Sequence, residues 1–374
     1  MIKRRWIIAA ITTAVVLAAY IPLTNLILAI RLMSALKSLA SGTTGQDLPV
    51  LMEKVSRQFG GESVEALIYR SQRFQPRRAV VLVPGISELG CYHPRLMALS
   101  RSLADKGFLV LTPDIRMFRR FEMSPEAMDE IQFWFEQAQA LGVSSKVRQV
   151  GLAGISFSGT LAIITAARPQ IRDRVAWVLA IGPYDDPLRC SRAWLSARPV
   201  TVGPGYYPTR FYGKWIIMIA GLDLLPSERE RGFLHTVLVD LLLQRPAPPP
   251  EPQMTLEGAR WYRLALMRED QEDPELAHRI DTYLAPRLYS QITPDRAASE
   301  IRCPVFLVHG AQDDLISPEE SRLLHQQIRA KSYLLISPFL THTHPNEKPI
   351  AFREKAGALL DSFCFFYNFA RVLL

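Results

Sequence analysis

Val147-Arg-Gln-Val-Gly-Leu-Ala-Gly-Ile-Ser-Phe-Ser-Gly-Thr-Leu-Ala-Ile-Ile-Thr-Ala-Ala-Arg168 is the part of the 374-residue chain whose reading decides the fold. An apolar run ends in Gly154-Ile155-Ser156-Phe157-Ser158-Gly159, and good helix formers follow at once, so the stretch reads strand, tight turn, helix. Ser156 stands at the corner. A serine in such a turn has its hydroxyl lifted clear of both elements, the setting of a nucleophile elbow, and its neighbours two places away must be small because strand and helix nearly touch. Gly154 and Ser158 meet that demand, with a serine where a second glycine is usual. The competing reading is an ordinary Gly/Ser turn without chemistry, and the rest of the chain must decide between them.

Working outward, the surrounding sequence alternates regularly. Glu65–Arg70 reads as an early strand, and Ala79-Val-Val-Leu-Val83 as a continuous apolar strand of the kind buried on both faces of a parallel sheet, stopped by Pro84-Gly85. A helix is expected over about 94–106, a strand over Phe108–Thr112, a helix over about 124–141, and further strands at Val175–Ile181, Pro304–Val308 and Tyr333–Ile336. Such alternation predicts an α/β fold with a doubly wound, mostly parallel sheet, whose ligands bind beyond the carboxyl ends of the strands. Ser156, Gly85 and His309-Gly310 all fall at such ends.

The loop after the penultimate strand, His309-Gly-Ala-Gln-Asp-Asp-Leu-Ile-Ser-Pro318, carries two aspartates. Ser317 reads as the cap of a helix beginning at Pro318. Asp313 is placed to point along the sheet edge and orient a histidine, with Asp314 as the alternative. The last strand runs into Ser337-Pro-Phe-Leu-Thr-His-Thr-His344, so a histidine follows serine and aspartate in chain order. His342, nearer the strand, is favoured as base over His344. A His-x-His metal site is not expected, because no acidic or cysteine cluster of metal spacing accompanies it.

On Pro84-Gly85, Gly154–Gly159, His309–Asp313 and the Thr341-His342 loop, about residues 65–370 of the chain resemble the α/β-hydrolase superfamily, specifically its serine esterases and lipases. The resemblance implies that Ser156 attacks an acyl carbonyl, that His342 takes its proton and later activates water, and that Asp313 holds the imidazole. It implies an oxyanion hole made of the Phe157 N–H and one from Ile86 or Ser87. Pro84 stands where many members carry a histidine, and Ser158 requires room for one hydroxymethyl group. No cofactor is implied, and there is no Gly-x-Gly-x-x-Gly or phosphate loop.

About 120 residues separate the strands ending near Gly182 and beginning near Pro304, far more than a crossover needs, so an inserted helical cap or lid is expected. It holds Trp194, Trp215 and Trp261, the apolar run Trp215–Gly221, the amphipathic Gly232–Gln244 and a polyproline spacer, Pro246–Pro252. Its aromatics read first as cap core, and an apolar lid suits an acyl or lipid-like ester. The C-terminal run Phe363–Leu374 is expected to pack on the sheet.

The N-terminus differs in kind. After Lys3, Arg4 and Arg5, the 25 residues Trp6–Ile30 carry no charge, enough to span a bilayer as one helix. An uncleaved anchor is expected rather than a signal peptide, with the body weakly favoured on the exported side. The expected division is therefore anchor 1–37, linker and lead-in 38–64, core 65–183, cap 184–300 and core 301–374. The net charge of +8 brings no Lys/Arg cluster interleaved with aromatics, which argues against nucleic acid; if the charge has a consequence, it is attraction to anionic lipid. Four scattered cysteines form no motif. The function expected is a membrane-anchored serine hydrolase of carboxylic esters; the alternative is an inactive relative that binds a lipid or protein in the cleft.

Overall fold

Residues 23–35, 47–144, 147, 149–196, 201–202, 205–206, 211–266, 273–342 and 351–374 are described by a computed structural model. Helix α1 (residues 23–35) precedes a hairpin of β1 (Val50–Phe59) and β2 (Glu62–Ser71). There follow β3 (Arg78–Val83), α2 (Pro94–Asp105), β4 (Phe108–Pro113), α3 (Arg116–Arg119), α4 (Ala127–Ser144), β5 (Gln149–Ile155), α5 (Phe157–Ala166) and β6 (Val178–Ile181).

An insertion then contains α6 (Pro187–Leu195), two-residue strands β7 (Thr201–Val202) and β8 (Gly205–Tyr206), α7 (Phe211–Gly221) and α8 (Glu228–Leu242). It continues with α9 (Leu256–Leu266), α10 (Pro274–Leu284), a π-helical turn, α11 (Ser290–Ile292) and α12 (Asp295–Glu300). The chain returns through β9 (Val305–Gly310), α13 (Pro318–Gln327), β10 (Ser332–Ser337) and α14 (Phe352–Leu373).

Eight strands form one sheet in the order β1-β2-β4-β3-β5-β6-β9-β10. The pairs β1/β2 and β2/β4 are antiparallel and the rest parallel. The central strands are apolar throughout because both of their faces are covered. In β3, Ala79, Val81 and Val83 meet the layer of α4, α5 and the cap, while Val80 and Leu82 meet that of α1, α2 and α14. Such alternation within a wholly apolar run fixes register, since a slip of one residue would exchange the two faces.

β1 lay hidden in the stretch read as lead-in. It is an edge strand, mostly exposed along its ten residues, so Glu53, Lys54, Ser56 and Arg57 give it no apolar signature. Ser317 caps α13, accepting from Glu319 N–H at 3.2 Å. The cap's entry is tied to α13 by fully buried Glu320, which accepts from Asp185 N–H, Asp186 N–H and the Arg189 guanidinium at 2.6–3.0 Å.

The C-terminal helix lies on the sheet, with Phe365, Phe366, Phe369 and Leu373 buried around Trp177 and Phe306. Leu28, Ala29, Leu32 and Ala35 of α1 are buried in the same layer. The last turns of the uncharged N-terminal run are thus held by the body of the protein. Residues 6–22 of that run, and the five before it, lie outside the described residues, and among the described ones no helix is long and apolar enough to cross a membrane.

Candidate active site

At the carboxyl end of β5 the chain turns through Ser156 with φ 60° and ψ −129°, a left-handed conformation that costs a residue with a side chain about 1–3 kcal/mol. The surroundings impose it. A Cβ at Gly154 would stand 2.2 Å from the Ser158 carbonyl oxygen, so strand and helix approach as closely as the sequence pattern requires. Ser158 does more than fit. Its hydroxyl accepts from Ile155 N–H at 2.9 Å and has one proton to share between the carbonyls of Val83, at 3.1 Å, and Ile155, at 2.9 Å. The serine that replaces a glycine therefore fastens the elbow to β3.

Three residues distant in sequence meet at this corner. The Ser156 hydroxyl lies 2.8 Å from His342 Nε2, and His342 Nδ1 lies 2.7 Å from Asp313 Oδ2. With the ring proton on Nδ1 given to Asp313, Nε2 is left to accept the serine proton. Asp314, the alternative acid, lines the adjoining cleft, while His344 lies outside the described residues.

Asp313 is fully enclosed and fully partnered. Oδ1 accepts from the N–H groups of Leu315 and Ile316, both at 2.9 Å, and Oδ2 from His342 and, at 3.1 Å, from His309 Nε2. Burial by itself would raise this carboxyl. The charge and hydrogen bonds of His342 and His309 outweigh burial and hold it below its ordinary value, as an anion. His309 was read from sequence only as a marker of a strand end, yet it is wholly buried and ordered by two further contacts, Ser321 Oγ at 2.6 Å and the Ile316 carbonyl at 3.0 Å. Its spacing, four residues before an aspartate at a strand end, was the available signal.

Of the three candidate oxyanion donors, Phe157 N–H is the first of α5 and has no acceptor within the helix. Ser87 N–H is engaged, donating to the Phe118 carbonyl at 3.1 Å, which leaves Ile86 as the candidate on that loop. The loop crowds the elbow: a Cβ on Gly85 would be 3.3 Å from the Ile155 carbonyl and 3.7 Å from Ser156 Cβ.

Ser156 and His342 open into a cleft of about 1230 Å³, above the ordinary range for a small-molecule pocket. The cap supplies its apolar wall through Trp194, Phe211, Trp215, Leu241 and Leu242. Trp261, by contrast, is cap core and wholly buried. Chemically the arrangement pairs a hydroxyl with a base and the base with a buried anion, beside the backbone amides of Phe157 and Ile86, the set that acyl transfer requires.

An eight-stranded sheet with its second strand antiparallel, a serine elbow after the fifth strand, an aspartate after the seventh and a histidine after the last decide the fold. The chain has the α/β-hydrolase fold. Solved structures similar to it include Est1E from Butyrivibrio proteoclasticus, at 13% identity and a TM-score of 0.46 over 86% of this chain and 98% of that one. Acylaminoacyl peptidase from Pyrococcus horikoshii matches at 11% identity and a TM-score of 0.49, over 86% of this chain and 41% of that one, so the chain spans about two fifths of the peptidase. An esterase from Rhizomucor miehei matches at 14% and 0.45, over 86% and 85%. No family model matches the sequence, and no curated protein does.

Proposed function

We propose that this protein is a membrane-anchored serine esterase of the α/β-hydrolase superfamily, acting on carboxylic esters with an apolar, acyl or lipid-like part. The observation that carries the reading is the continuous line from Ser156 through His342 to Asp313, opening into a cleft walled by the cap's aromatic and aliphatic side chains. In this mechanism Ser156 Oγ bonds to the ester carbonyl carbon as its proton passes to His342 Nε2. The resulting oxyanion is held by the N–H groups of Phe157 and Ile86. Its collapse breaks the bond to the alcohol, which leaves with the proton from His342. Water then gives a proton to His342, its oxygen attacks the acyl-enzyme, and the acid departs as Ser156 recovers its proton. Asp313 remains ionised throughout and stabilises the imidazolium formed at each step.

The aromatic and aliphatic wall that the cap contributes suits an acyl or lipid-like part of the substrate, which places esters ahead of peptides in this reading. The membrane part rests on the uncharged run Trp6–Ile30 and on α1, whose outward face carries the exposed Leu23, Ile27 and Ile30 opposite the residues it buries.

Labelling of the detergent-solubilised full chain with a fluorophosphonate tests the chemistry. Wild type and His344→Ala label, whereas Ser156→Ala and His342→Ala do not, and ester turnover falls about 10³-fold or more in both. A folded wild-type protein that takes no label overturns the hydrolase reading. Retention of the protein in carbonate-washed membranes, lost on removal of residues 1–22, tests the anchor.

A further inference from the structure

One hydrogen bond crosses from the cap to the loop that would hold the oxyanion. The Tyr212 hydroxyl, on the first turn of α7, donates to the Ile86 carbonyl at 2.7 Å, over a sequence separation of 126 residues. The other end of that same peptide group is Ser87 N–H, which donates to the Phe118 carbonyl at 3.1 Å. A peptide plane held at both its C=O and its N–H cannot rotate. The Ile86 N–H belongs to the adjoining peptide, so its direction is then set by the φ and ψ of Ile86 alone, while Gly85 behind it is pressed against the elbow.

The contacts around the bond suit a fixed donor. The Tyr212 ring meets Phe121 edge-on, with centroids 6.4 Å apart, and Phe121 itself is held at φ 61°. Phe118, whose carbonyl receives Ser87, lays its ring edge-on against Phe157 at 5.7 Å, and Phe157 carries the other oxyanion amide. Burial pushes the Tyr212 phenol up, so it remains a donor at any working pH. Both halves of the oxyanion site therefore meet in one patch of aromatic side chains, to which the cap contributes the hydroxyl.

We propose that Tyr212 is a positioning residue through which the cap orients the second oxyanion donor, so that the site is complete only when the first turn of α7 is seated on the Ile86 loop. The inference rests on the serine-hydrolase reading above. It makes a defined claim about that reaction: losing the Tyr212 hydroxyl weakens binding of the tetrahedral state and leaves ester binding nearly unchanged.

Tyr212→Phe in the full-length protein tests it, with steady-state hydrolysis of p-nitrophenyl butyrate and inhibition by an alkylboronic acid, whose serine adduct places an oxygen where the oxyanion would form. The expected result is a fall in kcat of about tenfold, KM within twofold of wild type, and a loss of boronic acid affinity matching the loss in kcat/KM. The substitution keeps the ring against Phe121, and a thermal midpoint close to wild type separates loss of the hydrogen bond from loss of the fold. Unchanged kcat and boronate affinity, or a change confined to KM, overturn the proposal and leave the hydrolase reading standing. A wild-type protein that neither hydrolyses the ester nor labels with fluorophosphonate fails the reading itself and takes the proposal with it.

Discussion

The two amides that would hold the oxyanion are positioned by different means. On the elbow side, Phe157 N–H is set by backbone within six residues: Gly154 admits the close approach, Ser156 takes the left-handed turn, and Ser158 closes the loop onto Ile155. On the facing loop, Ile86 depends on groups from elsewhere, the Phe118 carbonyl and Tyr212 of the cap. A locally built donor is rigid as soon as the strand and helix form. A donor held through tertiary contacts is only as fixed as the elements that hold it, so movement of the cap reaches the chemistry through one half of the site and not the other.

The strongest way to break this contrast is at the elbow itself. Gly154→Ala places a methyl group 2.2 Å from the Ser158 carbonyl oxygen and 2.8 Å from Gly159 N, and those neighbours are backbone that no rotamer change can move. A loss of about 3 kcal/mol or more is expected, because strand and helix must separate. Chemical denaturation measures it, and near-wild-type stability would mean that the elbow is less local and less rigid than described.

The acid side of the site is, like the elbow, built mostly from near neighbours in sequence: His309 four residues before Asp313 and the Leu315 and Ile316 N–H groups just after it. His309→Leu removes a donor from Asp313 while leaving His342 in place, and a fall in kcat of about tenfold is expected from a less firmly held imidazole. Stability changes with a definite sign. Asp313 is held below its ordinary value of 3.8, so its stabilising contribution is complete at neutral pH and is lost as pH falls through and below that value. Removing His309 shrinks that contribution, so the gap in stability between wild type and variant should be widest near pH 7 and narrow below about pH 4. Unfolding curves at both pH values check it, and a constant gap would show that His309 acts through packing alone.

The same division between local and tertiary explains what could be read from sequence. The strands buried on both faces are visible as unbroken apolar runs, and the elbow is visible because its determinants, Gly154, Ser156 and Ser158, lie within five positions. Asp313 and His342 were reached by chain order and strand ends, since their meeting with each other spans 29 residues and that with Ser156 spans 186. β1 escaped because an exposed edge strand needs no apolar alternation. His309 and Tyr212 escaped for a deeper reason: a buried histidine in a strand and a tyrosine in an apolar helix look like core until the partner atom is known.

Ser158 joins the two halves, and it offers the smallest and sharpest perturbation. Its hydroxyl serves the elbow through Ile155 N–H and also reaches the Val83 carbonyl, just before Pro84-Gly85-Ile86. Ser158→Ala keeps the Cβ and removes only the hydroxyl, so no cavity large enough to matter forms. It leaves the buried Ile155 N–H without this acceptor, at about 1–2 kcal/mol, or a few degrees in thermal midpoint. Ser158→Gly removes the same bonds and adds backbone freedom, so it should be the less stable of the two. If the hydroxyl only fastens the elbow, the alanine variant loses stability with little change in kcat. If it also registers the elbow against the Ile86 loop, kcat falls in Ser158→Ala, and combining it with Tyr212→Phe gives less than the product of the two separate losses, because both then act on the same amide.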